Sequence, residues 1–149
     1  MRLTCRRAAY AVSLLMVLAA PAGAELLIYG PKDTFWGCID CSWRDERSVC
    51  APYGTYGDVR SEASIWNRFG PNGNPSRFQS PWHDASLAGP ELVTEAGRYL
   101  GRFSIHAGAF RDWAMLRGIF ETADRKAEDA RKIFCDYVKP EFWTERLAK

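Results

Sequence analysis

One stretch constrains this chain more than any other, because it repeats itself. Ser48-Val49-Cys50, Ser64-Ile65-Trp66 and Ser80-Pro81-Trp82 return the same serine, apolar, bulky triplet every 16 residues. The glycines keep the same phase: Gly54 and Gly57 in the first unit match Gly70 and Gly73 in the second, and Gly89 survives in the third, where Ser86 replaces its partner. Gly, Pro, Asn and Ser dominate between the triplets, and Asn72-Gly73-Asn74-Pro75 is the strongest turn signal. Composition alone would make residues 48–89 a disordered linker. Bulky residues at fixed phase oppose that reading, since a loose segment would leave Trp66 and Trp82 in water, at a cost of several kcal/mol at roughly 25 cal/mol per Å². Each unit therefore reads as a loop whose Trp or Cys anchors it in a common core, with glycines permitting the bends.

Two β-hairpins flank the repeats. Residues 26–29, a turn at Gly30-Pro31-Lys32-Asp33 and residues 34–39 form the first; residues 91–94, a turn at Glu95-Ala96-Gly97 and residues 98–105 form the second. Their second strands share Phe35-Trp36-Gly37 and Tyr99-Leu100-Gly101, and glycine inside a strand marks a bulge or a close backbone approach. Over residues 109–138 the apolar period changes to that of a helix. Phe110, Trp113, Leu116, Phe120, Ala123, Ala127, Ala130, Phe134 and Tyr137 fall on one face, with Gly118 as the place where the helix would bend or split and Pro140 opening a short tail helix. The fold class expected is α+β: a small antiparallel sheet from two hairpins, an intervening loop-rich repeat region, and a C-terminal amphipathic helix covering one face. Dimerisation through that helix face is the alternative use of the stripe, so the chain reads as a monomer or a weak homodimer.

Residues 1–24 read as a cleaved signal peptide. Arg2, Arg6 and Arg7 precede an apolar run of 13 residues, Pro21 breaks it, and Ala22-Gly23-Ala24 offers the small-x-small cleavage pattern before Glu25. The run is shorter than the roughly 20 residues a membrane-spanning helix needs. The remaining residues, 25–149, suit one globular domain, exported to the periplasm or secreted, with no membrane span after cleavage. Three of the 20 Lys and Arg lie in the leader, leaving 17 against 18 Asp and Glu, so the charge gives no reason to expect nucleic acid.

Beyond the leader the cysteines are Cys38, Cys41, Cys50 and Cys135. In an oxidising compartment four cysteines imply two disulfides. If residues 38–41 continue a strand, Cys38 and Cys41 point to opposite faces, beyond disulfide reach; this favours Cys41 with Cys50 and Cys38 with Cys135. The repeat, with Ser64-Ile65-Trp66-Asn67 and glycines at 70 and 73, resembles a family of small exported bacterial proteins with repeats of the form Ser-x-(Trp/Cys/Phe)-Asn-x-x-Gly-x-Tyr-Gly, preceded by a Leu-Gly-Cys-x-x-Cys segment. Ala51 and His83 depart from its Asn, and Asn72 from its Tyr. The resemblance covers residues 26–105; it implies export and a shared architecture, and carries no catalytic residue.

Trp36-Gly37-Cys38-Ile39-Asp40-Cys41 invites comparison with thiol-disulfide oxidoreductases, in which a thiolate of lowered pKa attacks a disulfide, but an extra glycine intervenes and no βαβ succession follows. A zinc site would need Cys38, Cys41 and Cys50 with Cys135, His83 or His106, and no second Cys-x-x-Cys supports it. His83-Asp84 and His106 supply bases but no nucleophile elbow, and His83, standing where the second unit has Asn67, reads as a side chain bonding its own turn. No catalytic residue, metal or cofactor is assigned. Six tryptophans remain: Trp43 beside Arg44, and Trp66, Trp82 and His83 if open, are the candidate ligand contacts. The leading reading is a non-catalytic binding or interaction module for an unknown protein or an envelope glycan, with dithiol chemistry at Cys38/Cys41 as the alternative.

Overall fold

The computed structural model describes residues 25–106 and 114–138. Residues 1–24, read from sequence as a leader, residues 107–113 with Phe110 and Trp113, and residues 139–149, including the expected tail helix, lie outside the described residues.

Strands β1 (Leu26–Gly30), β2 (Thr34–Cys38), β3 (Glu91–Thr94) and β4 (Tyr99–Arg102) form one antiparallel sheet in the order β2-β1-β3-β4. Alternation explains why β1 is central: Leu26 and Ile28 are buried on one face, and Leu27 and Tyr29 stay half-buried on the other. The two edge strands carry the same irregularity. Ile28 pairs with Gly37 and Tyr29 with Phe35, leaving Trp36 as an extra residue. Leu92 pairs with Gly101 and Val93 with Tyr99, leaving Leu100 extra. Gly37 and Gly101 have φ of 129° and 134°, a region that only glycine enters without strain. The shared aromatic-x-Gly detail is thus a pair of matching bulges, one on each edge.

Between β2 and β3 the chain runs as a staircase of turns. Backbone N–H groups bond the carbonyl three residues earlier from Asp45 to Ser42, Ser48 to Asp45, Ala51 to Ser48 and Gly54 to Ala51; from Ser61 to Asp58, Ser64 to Ser61, Asn67 to Ser64 and Gly70 to Asn67; and from Arg77 to Asn74, Ser80 to Arg77, His83 to Ser80 and Ser86 to His83. Steps of three with one residue over make the 16-residue unit. Polar residues at the step positions close each turn: the Ser48, Ser64 and Ser80 hydroxyls accept from the N–H of Cys50, Trp66 and Trp82, and Asp45, Asp58, Asn67 and Asn74 accept in the same way two residues on. The buried serines are therefore architectural.

Adjacent units are joined through their anchors. The Trp66 indole N–H donates to the Val49 carbonyl at 2.7 Å, and that of Trp82 to the Ile65 carbonyl. Ile105 N–H then bonds the Pro81 carbonyl, and the Ser104 hydroxyl accepts from His106 N–H. Ser104-Ile105-His106 thus closes the same serine turn as the three triplets. The expected strand over 98–105 ends at Arg102 for this reason: Phe103 makes a last bond to the Pro90 carbonyl, and the chain returns to the staircase.

Two helices, α1 (Ala114–Thr122) and α2 (Ala127–Tyr137), replace the single helix expected. The break is at Asp124 and Arg125, both at positive φ, and not at Gly118, which is exposed inside α1. The stripe survives the break: Leu116, Phe120, Ala123, Ala127, Ala130 and Phe134 are buried, with Val138 taking the place expected of Tyr137. Its partners are the anchors. Trp82 stacks on Phe120 with centroids 5.2 Å apart, Trp66 meets Phe134 at 5.6 Å, and Phe103 meets Phe134 edge to face at 5.5 Å. The face that dimerisation would have used is spent inside the chain. The whole is a mixed α+β fold with a small four-stranded antiparallel sheet, and no helix among the described residues is long and apolar enough to cross a membrane.

Candidate binding surface on the repeat units

Both disulfides differ from the pairing favoured by sequence. Cys38 bonds Cys41, and Cys50 bonds Cys135. The argument for opposite faces failed because β2 ends at Cys38: the chain bends over the next residues and brings the two Cα atoms to 5.6 Å. Cys50 stands in the first unit where Trp66 and Trp82 stand in the others, and like them it faces the helices. Its contact with α2 is covalent, where Trp66 meets α2 and Trp82 meets α1 through aromatic rings.

This placement sorts the candidate residues. Trp66 and Trp82 are fully buried, so neither meets a ligand. Trp43 is 59% exposed, with the Arg44 guanidinium 4.8 Å above its ring. His83 is half-buried; its Nδ1 accepts from Ala85 N–H and its ring meets Phe78 edge to face. That bond puts the proton of a neutral His83 on Nε2. His106 does the reverse, its Nδ1 lying 2.7 Å from the Asp84 carbonyl, which only a protonated Nδ1 can satisfy. His83 closes its own turn and His106 ties the end of the staircase to Asp84 of the third unit, while the serines near them are committed to turns of their own.

Around Cys38-Cys41, Cys38 is buried and Cys41 half-buried. Asp40 Oδ1 accepts from Leu26 N–H at 2.8 Å and lies 3.6 Å from Cys38 Sγ. Burial raises the Asp40 pKa above the usual carboxylate range, against the lowering effect of its backbone hydrogen bonds. Donor atoms of Glu25, Cys38 and Cys41 lie within 4.8 Å of one another. With both sulfurs in a disulfide, however, neither is a thiolate, and Cys50 is committed to Cys135, so the four-ligand set considered from sequence is not assembled. Glu25 is held instead by Arg47, which bonds it at 3.0 Å and Asp45 at 2.8 Å; these bonds raise the arginine pKa and lower that of Asp45.

The outer surface of the first two units holds what the anchor pattern concealed. A groove of about 300 Å³ is lined by Trp43, Arg44, Pro52 and Tyr53 among others. A second, of about 440 Å³, is lined by Val59, Arg60, Asn67, Arg68, Phe69 and, from α2, Glu128. Five of the seven residues lining the first groove have their equivalents 16 residues on in the second: Trp43 becomes Val59, Arg44 becomes Arg60, Ala51 becomes Asn67, Pro52 becomes Arg68, and Tyr53 becomes Phe69, while Glu46 and Gly54 of the first groove have no counterpart in the second. The two grooves are one design, repeated. Tyr53 and Phe69 are 94% and 83% exposed, and Arg68 lies 5.1 Å over the Phe69 ring. In the third unit the same places hold Pro75, Ser76, Asp84 and Ala85, which lack both the arginine and the aromatic ring. The sequence signal was available: an arginine and an aromatic residue each recur at 16 residues, outside the triplets that drew attention.

Comparisons with protein-family models, with curated proteins and with solved structures found no match to this chain.

Proposed function

We propose that this protein is an exported, non-catalytic binding module, freed of residues 1–24 and acting in the periplasm or outside the cell, and that it belongs with the small exported bacterial proteins its repeat resembles. The observation that carries the reading is the repeated groove. Trp43, Tyr53 and Phe69 project into solvent from a staircase whose backbone hydrogen bonds, buried tryptophans and Cys50–Cys135 bridge hold it in one shape. Large exposed aromatic residues on a rigid base are what recognition surfaces are made of. Two disulfides in the chain accord with an oxidising compartment. The test is retention of envelope material by immobilised protein, compared with a Trp43→Ser, Tyr53→Ser, Phe69→Ser triple variant. The reading requires specific retention by the wild type, lost in the variant with an unchanged thermal midpoint. Equal retention by both would place binding elsewhere.

A second reading, dithiol exchange at Cys38 and Cys41, rests on the half-exposed Cys41 and the adjacent Asp40 carboxyl. It requires that mild dithiol reductant open this bridge alone and that the reduced protein turn over a disulfide substrate. A bridge that resists such reductant would end it.

A further inference from the structure

We infer that Cys38, Cys41, Glu25 and Asp40 form a site for a thiophilic divalent cation of the zinc type, closed while the Cys38–Cys41 bridge stands and opened when a dithiol reduces it. The site rests on the opening of that bridge, which the dithiol-exchange reading also requires, and the grooves play no part in it. Four donor groups converge here. The ligand atoms of Glu25, Cys38 and Cys41 all lie within 4.8 Å of one another, and Asp40 Oδ1 lies 3.6 Å from Cys38 Sγ. An ion about 2.3 Å from a thiolate sulfur and about 2.0 Å from a carboxylate oxygen, at the tetrahedral angle, holds the two about 3.5 Å apart. The Asp40–Cys38 edge of such a site is therefore already in place, and a side-chain adjustment of about 1 Å brings in the Glu25 carboxylate. Two residues between the cysteines is the spacing of one half of a structural zinc site. Two thiolates select zinc over magnesium or calcium, and two carboxylates select it over copper(I).

The backbone beneath these groups is fixed. Cys38 N–H donates to the Arg47 carbonyl, and the Cys38 carbonyl accepts from Val49 N–H. Ile39 N–H donates to the Leu26 carbonyl, Leu26 N–H to Asp40 Oδ1, and Glu95 N–H to the Glu25 carbonyl. Arg47 forks onto both Glu25 oxygens at 3.0 Å, which uses two of the carboxylate's four lone-pair directions and leaves the others for an ion. Outer hydrogen bonds of this kind orient the ligands of metal sites. Glu25, Asp40 and Cys41 are half-buried and give an ion its way in, whereas the buried Cys38 forms the floor.

Reduction supplies the remaining ligands. A thiolate of the dithiol attacks Sγ of the half-buried Cys41, the S–S bond breaks, and Cys38 leaves as a thiolate that takes up a proton. The second thiol of the reductant then displaces Cys41, which is protonated in turn, and the dithiol departs as a cyclic disulfide. Two electrons and two protons have passed to the bridge. Two thiols now stand beside two carboxyl groups, and the cation bonded to this cluster, Arg47, is already shared between Glu25 and Asp45. A divalent ion displaces both thiol protons to solvent and offsets the negative charge gathered there.

The experiment is zinc titration, in competition with a chromophoric chelator, of the disulfide-intact protein before and after anaerobic reduction by dihydrolipoate and its removal. Alkylation and mass spectrometry establish that Cys38 and Cys41 are freed while Cys50–Cys135 stays closed. The expected result is one zinc per reduced chain, with a dissociation constant of about 1 μM or tighter and about two protons released. The oxidised chain should not bind at that level, and cobalt in place of zinc should give a thiolate-to-metal charge-transfer band. Cys38→Ser with Cys41→Ser should abolish the band, and Glu25→Gln and Asp40→Asn should each weaken zinc by at least about tenfold with unchanged far-ultraviolet circular dichroism. Wild-type affinity in either carboxylate variant overturns the four-donor site, and so does an oxidised chain that binds as tightly as the reduced one. A bridge that opens without zinc binding ends the metal site and leaves dithiol exchange standing, whereas a bridge that resists the dithiol ends both.

Discussion

The two disulfides should contribute very differently to stability, and removing each in turn tests how the staircase is held. Cys50–Cys135 spans 85 residues of sequence, from the first repeat unit to α2, and its closed loop contains the other two units, the second hairpin and α1. Cys38–Cys41 spans three. Loop-closure entropy in the unfolded chain gives about 4.5 kcal/mol for the long bridge and about 2 kcal/mol for the short one at 25 °C. The double substitution Cys50→Ala with Cys135→Ala should therefore lower the unfolding free energy by about 2.5 kcal/mol more than Cys38→Ala with Cys41→Ala. It should also raise the denaturant slope, because the uncrosslinked unfolded chain exposes more surface. Urea unfolding followed by far-ultraviolet circular dichroism reads both quantities. Equal losses, or a larger loss for the short bridge, would refute the reasoning, since they would mean that the helices do not depend on the covalent tie to the first unit.

Glycines of the same type should respond oppositely. A Cβ on Gly73 would sit 2.5 Å from the Asn67 carbonyl oxygen and 2.6 Å from that of Ile65, so Gly73→Ala should cost upwards of about 2 kcal/mol; Gly118→Ala, with nothing within 4 Å on an exposed helix face, should gain about 0.5–1 kcal/mol. Equal thermal shifts would contradict the close approach. Trp66→Phe removes the indole N–H and leaves the buried Val49 carbonyl without that donor, a loss of about 1–3 kcal/mol measurable by urea unfolding, and a neutral result would argue against the inter-unit bond. Asp40 supplies a pH test: its folded pKa lies above the ordinary 3.8, so its stabilising contribution is complete below that value and is lost as pH rises through the folded one. The stability of Asp40→Asn relative to wild type should therefore improve between pH 3 and pH 7, and a relative decline over that range would show that the carboxylate is stabilised by its hydrogen bonds more than burial penalises it.

Much of the architecture was legible because it is periodic. A short apolar run ending at a turn located β1, the repeated aromatic-x-Gly marked both edge bulges, and the helical stripe kept its phase across a break. The features missed depend on where the chain turns. Cys38 could pair with Cys41 only because β2 stops at Cys38, which no spacing rule states. The helix breaks at Asp124 and Arg125, where ordinary residues enter a positive-φ turn, while the glycine that suggested a break lies undisturbed inside α1. Ser104-Ile105-His106 was overlooked because the β3–β4 hairpin moves it 24 residues, not 16, beyond Ser80. The candidate site was hidden by its neighbours. Tryptophan at fixed phase proved to be core, and the exposed members of the repeat are the less regular Tyr53, Phe69 and arginines between the anchors.

The central claim is that the repeat buries its anchors and presents the residues between them. Hydrogen exchange of the indole N–H groups, read by two-dimensional nuclear magnetic resonance with each signal assigned by a Trp→Phe variant, tests it most directly. Trp66 and Trp82, bonded to the carbonyls of Val49 and Ile65 in the preceding units, should exchange only through opening of the fold, while Trp43 should exchange within the dead time. Rapid exchange at Trp66 and Trp82, at rates matching Trp43, would contradict the staircase and return the repeats to an open loop.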